Sequence, residues 1–320
     1  MDEPLTYHDI FYLSRGVCLA LSIILGSMIG SFLNVVVWRL PRGMSLSVPP
    51  SHCPKCGHRI RWYENIPVIS WLCLRARCSS CHLPISWRYP AGELAVGFLF
   101  GGIYLHISGN GWPVGVCFAW LWLAGLLLAG ALIDLDFRVI PDKLNFFGMG
   151  VALLLAIAWP ESRLAVVCPE EPQAGGFLLT EILSHLPRLS LRLSAVVDCV
   201  LGGLVGWLLT GGIVLVSRLL GGKTRPSPLG GGDVKFLTMT GMFLGADACV
   251  FILLGAAALG FMYGVLRRLA GRGQGNRNVV RDICLGEVPF GPFLAFFGLF
   301  WCVFGNWFYL LFCLTQRKLP

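Results

Sequence analysis

Residues 229–266 read LGGGDVKFLTMTGMFLGADACVFILLGAAALGFMYGVL, and whether this run is one helix or two decides how often the chain crosses a membrane. From Phe236 to Leu266 it is apolar enough for one long helix. Gly245-Ala246-Asp247 interrupts it, however, and a single crossing here would reverse the side of everything that follows. Two helices, over 234–245 and 247–266, are therefore expected.

The rest of the chain has the same character. Its 320 residues are 56% hydrophobic and 13% charged, with mean hydropathy +0.72, far from a soluble globular domain. A span needs about 20 apolar residues to cross about 30 Å of hydrocarbon. Six further segments qualify, at 15–38, 91–108, 113–133, 143–159, 194–219 and 289–313. The first follows an acidic leader, MDEPLTYHDI, and lacks a small-residue cleavage site, so a retained helix is expected rather than a signal peptide.

Charge orients these eight segments. Of the 25 Lys and Arg, eight lie between Arg39 and Arg88, two between Asp134 and Lys143, four between Arg218 and Lys235, and five between Arg267 and Arg281. Eight crossings put all four groups on one side and the remaining six residues on the other, so the positive-inside rule predicts both termini outside. The net charge of +8 then reflects topology and anionic lipid headgroups rather than nucleic acid. The fold expected is an all-α polytopic membrane protein of about eight transmembrane helices, with a small cytosolic domain between the first two. Its parts are 1–38, the outer N-terminus and first helix; 39–90, the aqueous domain; and 91–320, a seven-helix membrane domain.

Residues 39–90 carry CPKC (Cys53, Cys56) and CSSC (Cys78, Cys81). Paired CxxC turns at this separation match a zinc ribbon, each turn presenting two thiolates to one tetrahedral ion. Two disulfides are the other reading, disfavoured in a loop that topology assigns to the reducing cytosol. Four protein ligands leave no open position, so the metal would be structural. Cys73 lacks a CxxC partner and reads as packing.

Aspartates in or beside spans are costly, which singles out Asp134, Asp136, Asp142, Asp198, Asp233 and Asp247. Asp198 and Asp247 fall near outer helix ends and read as structural. Asp134, Asp136 and Asp142 gather in LIDLDFRVIPDKL, on the same side of the bilayer as Asp233. On a helix Asp134 and Asp136 point about 200° apart, so one faces the interior, and Asp134 is the deeper. Two carboxylates held close in a partly dry site share a proton, the arrangement of aspartic proteases. The glycines Gly230, Gly231 and Gly232 would let the backbone beside Asp233 approach an extended substrate. Equally, Asp233 could simply cap the next helix.

Taken in order, GSFLNVVVWRLPRG, CPKCGHRIRWYENIPVISWL, RCSSCHLPISWRYPAGE, LIDLDFRVIPD, GGGDVK and VPFGPFLAF resemble the bacterial type IV prepilin peptidases, the prepilin leader peptidase/N-methyltransferases, over residues 30 to 296. The resemblance implies catalytic Asp134 and Asp233 in a GxGD aspartic protease, and a structural Zn2+ on Cys53, Cys56, Cys78 and Cys81. It also implies a cytosolic active site in the bacterial inner membrane and cleavage after Gly of prepilins or type II secretion pseudopilins. The new N-terminus would then be methylated from S-adenosylmethionine, whose site no Rossmann GxGxxG marks. Glu93, in RYPAGE, is a further polar candidate near the metal loop or a structural residue. The outer loop Pro160–Leu193 is long for the family.

Two other classes compete. A proton-coupled transporter with a zinc-ribbon regulatory loop would also bury aspartates, though near the midplane of repeated halves, and no repeat is present. A nucleic-acid module would use Trp62, Tyr63, Trp71 and Trp87 beside the loop's arginines, but aromatics tethered at a membrane usually sit at the interface.

Overall fold

A computed structural model describes residues 15–163, 190–221, 229–271 and 289–316. The acidic leader, most of the loop at 160–193 and most of the basic stretch 267–281 lie outside them. The described residues are nearly all helical, with eight long helices: α1 (Arg15–Arg39), α2 (Arg88–Asn110), α3 (Val114–Phe137), α4 (Asp142–Ala158), α5 (Leu191–Gly221), α6 (Gly231–Leu244), α7 (Ala246–Gly271) and α8 (Gly291–Gln316). Each expected segment is present. Among the described residues α1, α2, α3, α5 and α7 are long and apolar enough to cross a membrane.

Contacts divide the chain into two compact units that meet in sequence at Gly111 and Trp112. In the first, α1 and α2 form an antiparallel pair. Both carry small residues four apart, Gly26 and Gly30 on α1, Gly97 and Gly101 on α2. A Cβ at Gly26 would stand 2.7 Å from Phe100 Cβ and from the Val96 carbonyl, and one at Gly30 would stand 2.8 Å from the Glu93 Cα. The backbones touch, which is how helices associate where lipid removes the hydrophobic drive. The opposite face of α1 exposes Leu21, Ile24, Met28 and Phe32, as a lipid-facing surface does.

In the second unit the shortest helix, α6, touches all five of the others, α3, α4, α5, α7 and α8. Its 14 residues span only about 21 Å. Surrounded by protein, it need not match the thickness of lipid. Glycines set these contacts: Gly130 of α3 faces Phe236, Gly148 of α4 faces Met239, and Gly206 of α5 lies against the Leu237 carbonyl. Gly245 separates α6 from α7 at φ +90° and ψ 179°, a conformation that in practice only glycine adopts. Residues 231–271 are therefore two helices and not one.

That same end of α6 is held by charge. Arg163 is 3% exposed; its Nη1 donates to the carbonyls of Met242 and Phe243 (2.9 Å to the latter) in the last turn of α6. Its Nε donates to Asp198 Oδ2 at 2.7 Å, and Nη2 reaches the same oxygen. A guanidinium at a helix C-terminus meets orphan carbonyls and the negative end of the dipole. Asp198 is thus the buried counter-ion of Arg163, a more specific role than favouring the start of α5.

Candidate active site and metal centre

α3 ends at Phe137 because Arg138 turns left-handed (φ 58°), its N–H closing on the Asp134 carbonyl at 2.9 Å. Asp134, in that last turn, is 6% exposed, whereas Asp136 is exposed, as their angular separation requires. The Gly291 N–H donates to Asp134 Oδ2 at 2.9 Å. Gly291 opens α8, so a carboxylate sits at the positive end of a helix dipole and satisfies an otherwise orphan donor. A Cβ at Gly291 would stand 2.9 Å from that same Oδ2. Gly291 belongs to VPFGPFLAF, but the sequence reading gave it no role.

Asp233 is the third residue of α6, and its Oδ2 accepts the Gly230 N–H at 3.0 Å. It does cap its helix, and it also lies near enough to Asp134 for that charge to act on it. Ile140, buried between α3 and α4, ties the two together: a Cβ at Gly232 would stand 3.2 Å from its Cβ and carbonyl, and one at Gly291 would stand 3.1 Å from its Cδ1. One glycine of the GGGD string thus serves the approach of α6 to the α3–α4 turn. Asp142 is exposed and pairs with Lys235 Nζ at 2.6 Å, linking α4 to α6 beside the site.

In the other unit, CPKC and CSSC fold alike. The Cys53 N–H donates to the His58 carbonyl and Cys78 to Leu83, both at 2.9 Å; Gly57 donates back to Cys53 at 2.9 Å and His82 to Cys78 at 3.0 Å. Gly57 (φ 72°) and His82 (φ 56°) occupy the same left-handed position in each knuckle. The four Sγ atoms lie within 4.8 Å of one another, with Cys53–Cys81 at 3.9 Å and Cys56–Cys78 at 4.0 Å. Zinc–sulfur bonds of about 2.3 Å in a tetrahedron put sulfurs about 3.8 Å apart, so this donor set fits Zn2+. Backbone N–H groups of Cys56 and Lys55 bring the Cys53 thiol down to about 7, and those of Cys81 and Ser80 lower Cys78, whereas burial and the three neighbouring sulfurs push Cys81 up to about 11, as thiols sharing protons in one cluster do. All four cysteines are free of disulfides.

Glu93, 8% exposed on α2, accepts the Val68 N–H on Oε2 at 2.8 Å. Val68 sits at φ 62° and ψ −50°, with the Ile69 N–H reaching the Pro67 carbonyl at 2.6 Å: a strained γ-turn on a β-branched residue. Glu93 therefore anchors the metal loop to α2. Beside it, a cavity of about 330 Å3 lies between α1 and the loop, with Arg39 and Asn65 among its walls. Among the described residues no carboxylate lines it to hold a ribose diol or face a sulfonium, so its described walls do not fit the methyl donor that the resemblance implies.

Comparison with known proteins accounts for both units. Residues 24–107 match the Bacterial Peptidase A24 N-terminal domain, and residues 121–265 match the Type IV leader peptidase family. The chain is 35% identical over 269 residues to a prepilin leader peptidase/N-methyltransferase of Myxococcus xanthus (strain DK1622), covering 83% of this chain and 68% of that protein. Proteins of the same name from Burkholderia pseudomallei (strain 1026b) and Pseudomonas aeruginosa (strain PAO1) are 34% and 31% identical, covering 93% and 89% of this chain and 89% and 90% of theirs. No solved structure matches. With a four-cysteine loop between α1 and α2, a buried aspartate at the end of α3 and a half-buried one in the first turn of α6, and both sequence domains matched in order, this multi-pass membrane protein belongs to the type IV leader peptidase family of bacterial enzymes.

Proposed function

We propose that the chain cleaves the leader of type IV prepilins or type II secretion pseudopilins after glycine, at the cytosolic face of the bacterial inner membrane, and then N-methylates the product. The observation that supports the cleavage reading is that Asp134 and Asp233, 99 positions apart, come near enough for the charge of one to act on the other, each using one carboxylate oxygen on a backbone N–H. A water between them attacks the scissile carbonyl: the ionised carboxylate takes a proton from the water while the protonated one donates to the carbonyl oxygen. The tetrahedral intermediate collapses with cleavage of the C–N bond, the leaving nitrogen takes a proton, and the pair returns to its singly protonated state. The relatives' names include N-methyltransferase, and S-adenosylmethionine would supply a methyl group to the new primary amine.

The cytosolic side follows from the basic clusters flanking both aspartates. The apolar stem of the substrate enters from lipid, so lipid and pilin-type substrates are the partners and nucleic acid is not. Zn2+ on Cys53, Cys56, Cys78 and Cys81 holds the aqueous loop and leaves no open position for catalysis. Membership in an enzyme family favours this reading over a proton-coupled transporter.

Asp134→Asn and Asp233→Asn test the pairing with purified enzyme and a prepilin. Each is expected to fold and to lose about 1,000-fold or more in cleavage rate, since removing one member of a proton-sharing pair removes the chemistry. Substantial cleavage by either variant would refute it.

A further inference from the structure

Asn145 is 0% exposed, and neither its Nδ2 nor its Oδ1 has a hydrogen-bond partner among the described residues. A buried carboxamide with donor and acceptor both unmade is costly enough to need a reason. Its position supplies one. Asn145 shares the buried face of α4 with Gly148, Ala152 and Ala156. Gly148 fits against Met239 of α6 and Leu126 of α3, and Gly130, one turn further along α3, fits against Phe236. The next residues along those stripes are Asp134 on α3 and Asp233 on α6, and the matching step on α4 leads from Gly148 to Asn145. Helical side chains lean toward their own N-terminus. Asn145 therefore leans toward the end of α4 where the aspartates gather, and Asp134, on a helix running the other way, leans back toward it. The carboxamide stands about one turn deeper than the carboxylates.

We propose that Asn145 clasps the substrate backbone just beyond the scissile bond, Nδ2–H donating to a peptide carbonyl and Oδ1 accepting a peptide N–H. This rests on the reading that Asp134 and Asp233 cut an extended segment whose apolar continuation lies in the membrane. To be cut, that continuation must give up helical hydrogen bonds where no water replaces them. A carboxamide offers one donor and one acceptor, the complement of the peptide groups set free. Leucine has nearly the same shape and offers neither.

The test pairs Asn145→Leu with prepilin peptides carrying a single ester in place of each of the three amides after the scissile bond. Asn145→Leu should melt at or above the wild-type temperature, bind uncleaved prepilin as tightly, and lose about 10- to 100-fold in kcat, because the contact forms only in the extended, reacting substrate. One ester should slow the wild type by about 10-fold and slow the variant no further. Near-wild-type kcat in Asn145→Leu, or ester effects that add in full at all three bonds, would overturn the proposal. If Asn145→Leu does not fold, Asn145→Ser enters the same cycle. Asp134→Asn and Asp233→Asn run in parallel: cleavage surviving there removes the carboxylate pair, whereas cleavage lost there but retained in Asn145→Leu removes only the clasp.

Discussion

A single hydrogen atom at residue 291 decides where Asp134 points. The Gly291 N–H holds one oxygen of that carboxylate, and the missing side chain leaves the space the oxygen occupies. In Gly291→Ala the added methyl must displace the flexible end of Asp134, a small cost in stability and a large one in geometry. Cleavage should fall by about 100-fold while the melting temperature drops by only a few degrees; steady-state kinetics and thermal unfolding in detergent measure the two. The same scale explains what sequence reading could and could not see. Asp134 stood out because a charge after an apolar run is costly, whereas Gly291 carries no charge and Asn145 differs from an ordinary polar residue only in being buried without a partner. Two positions apart on the chain, Asp134 and Asp136 part because helical rotation buries one and exposes the other.

Among the elements, α6 carries the arrangement: only 14 residues long, it touches five helices, holds Asp233 in its first turn and ends under Arg163. Removing the guanidinium in Arg163→Met leaves Asp198 buried without its partner and should cost about 3–5 kcal/mol, lowering the melting temperature by on the order of 10 °C. The double variant Arg163→Met/Asp198→Leu should recover most of that loss, because two well-packed apolar groups need no charge compensation. Failure of the double variant to recover would mean that the carbonyls of Met242 and Phe243, not Asp198, are the main reason for the arginine. The break between α6 and α7 was legible, since Gly245 interrupts an apolar run. The α1–α2 contact was legible in principle from paired small-xxx-small spacing, a signal the sequence reading passed over.

Over the whole molecule, a metal loop of about 50 residues with little apolar core depends on its ion far more than the helices do. Cys78→Ser/Cys81→Ser should lower bound zinc from about one per chain to near zero and open residues 40–87 to proteolysis, while 112–163 stays resistant. Zinc analysis and limited proteolysis with mass spectrometry check this; full zinc content in the variant would sink the assignment. Activity is a poor readout here, because a loosened loop and a lost catalytic metal both lower it.

Composition and hydropathy alone determined the helices, since about 20 apolar residues have few other places to go than a bilayer, and cysteine spacing alone determined the donor set, since two CxxC turns converge through local backbone geometry. Only the tertiary structure decided that α6 is central, that Gly291 and Gly232 both close on Ile140, and that Asp198 belongs to Arg163. Those choices depend on which helix faces lie against one another. Glycine contacts and burial set them between segments about 30 to 160 residues apart in the chain, a separation that no local pattern encodes.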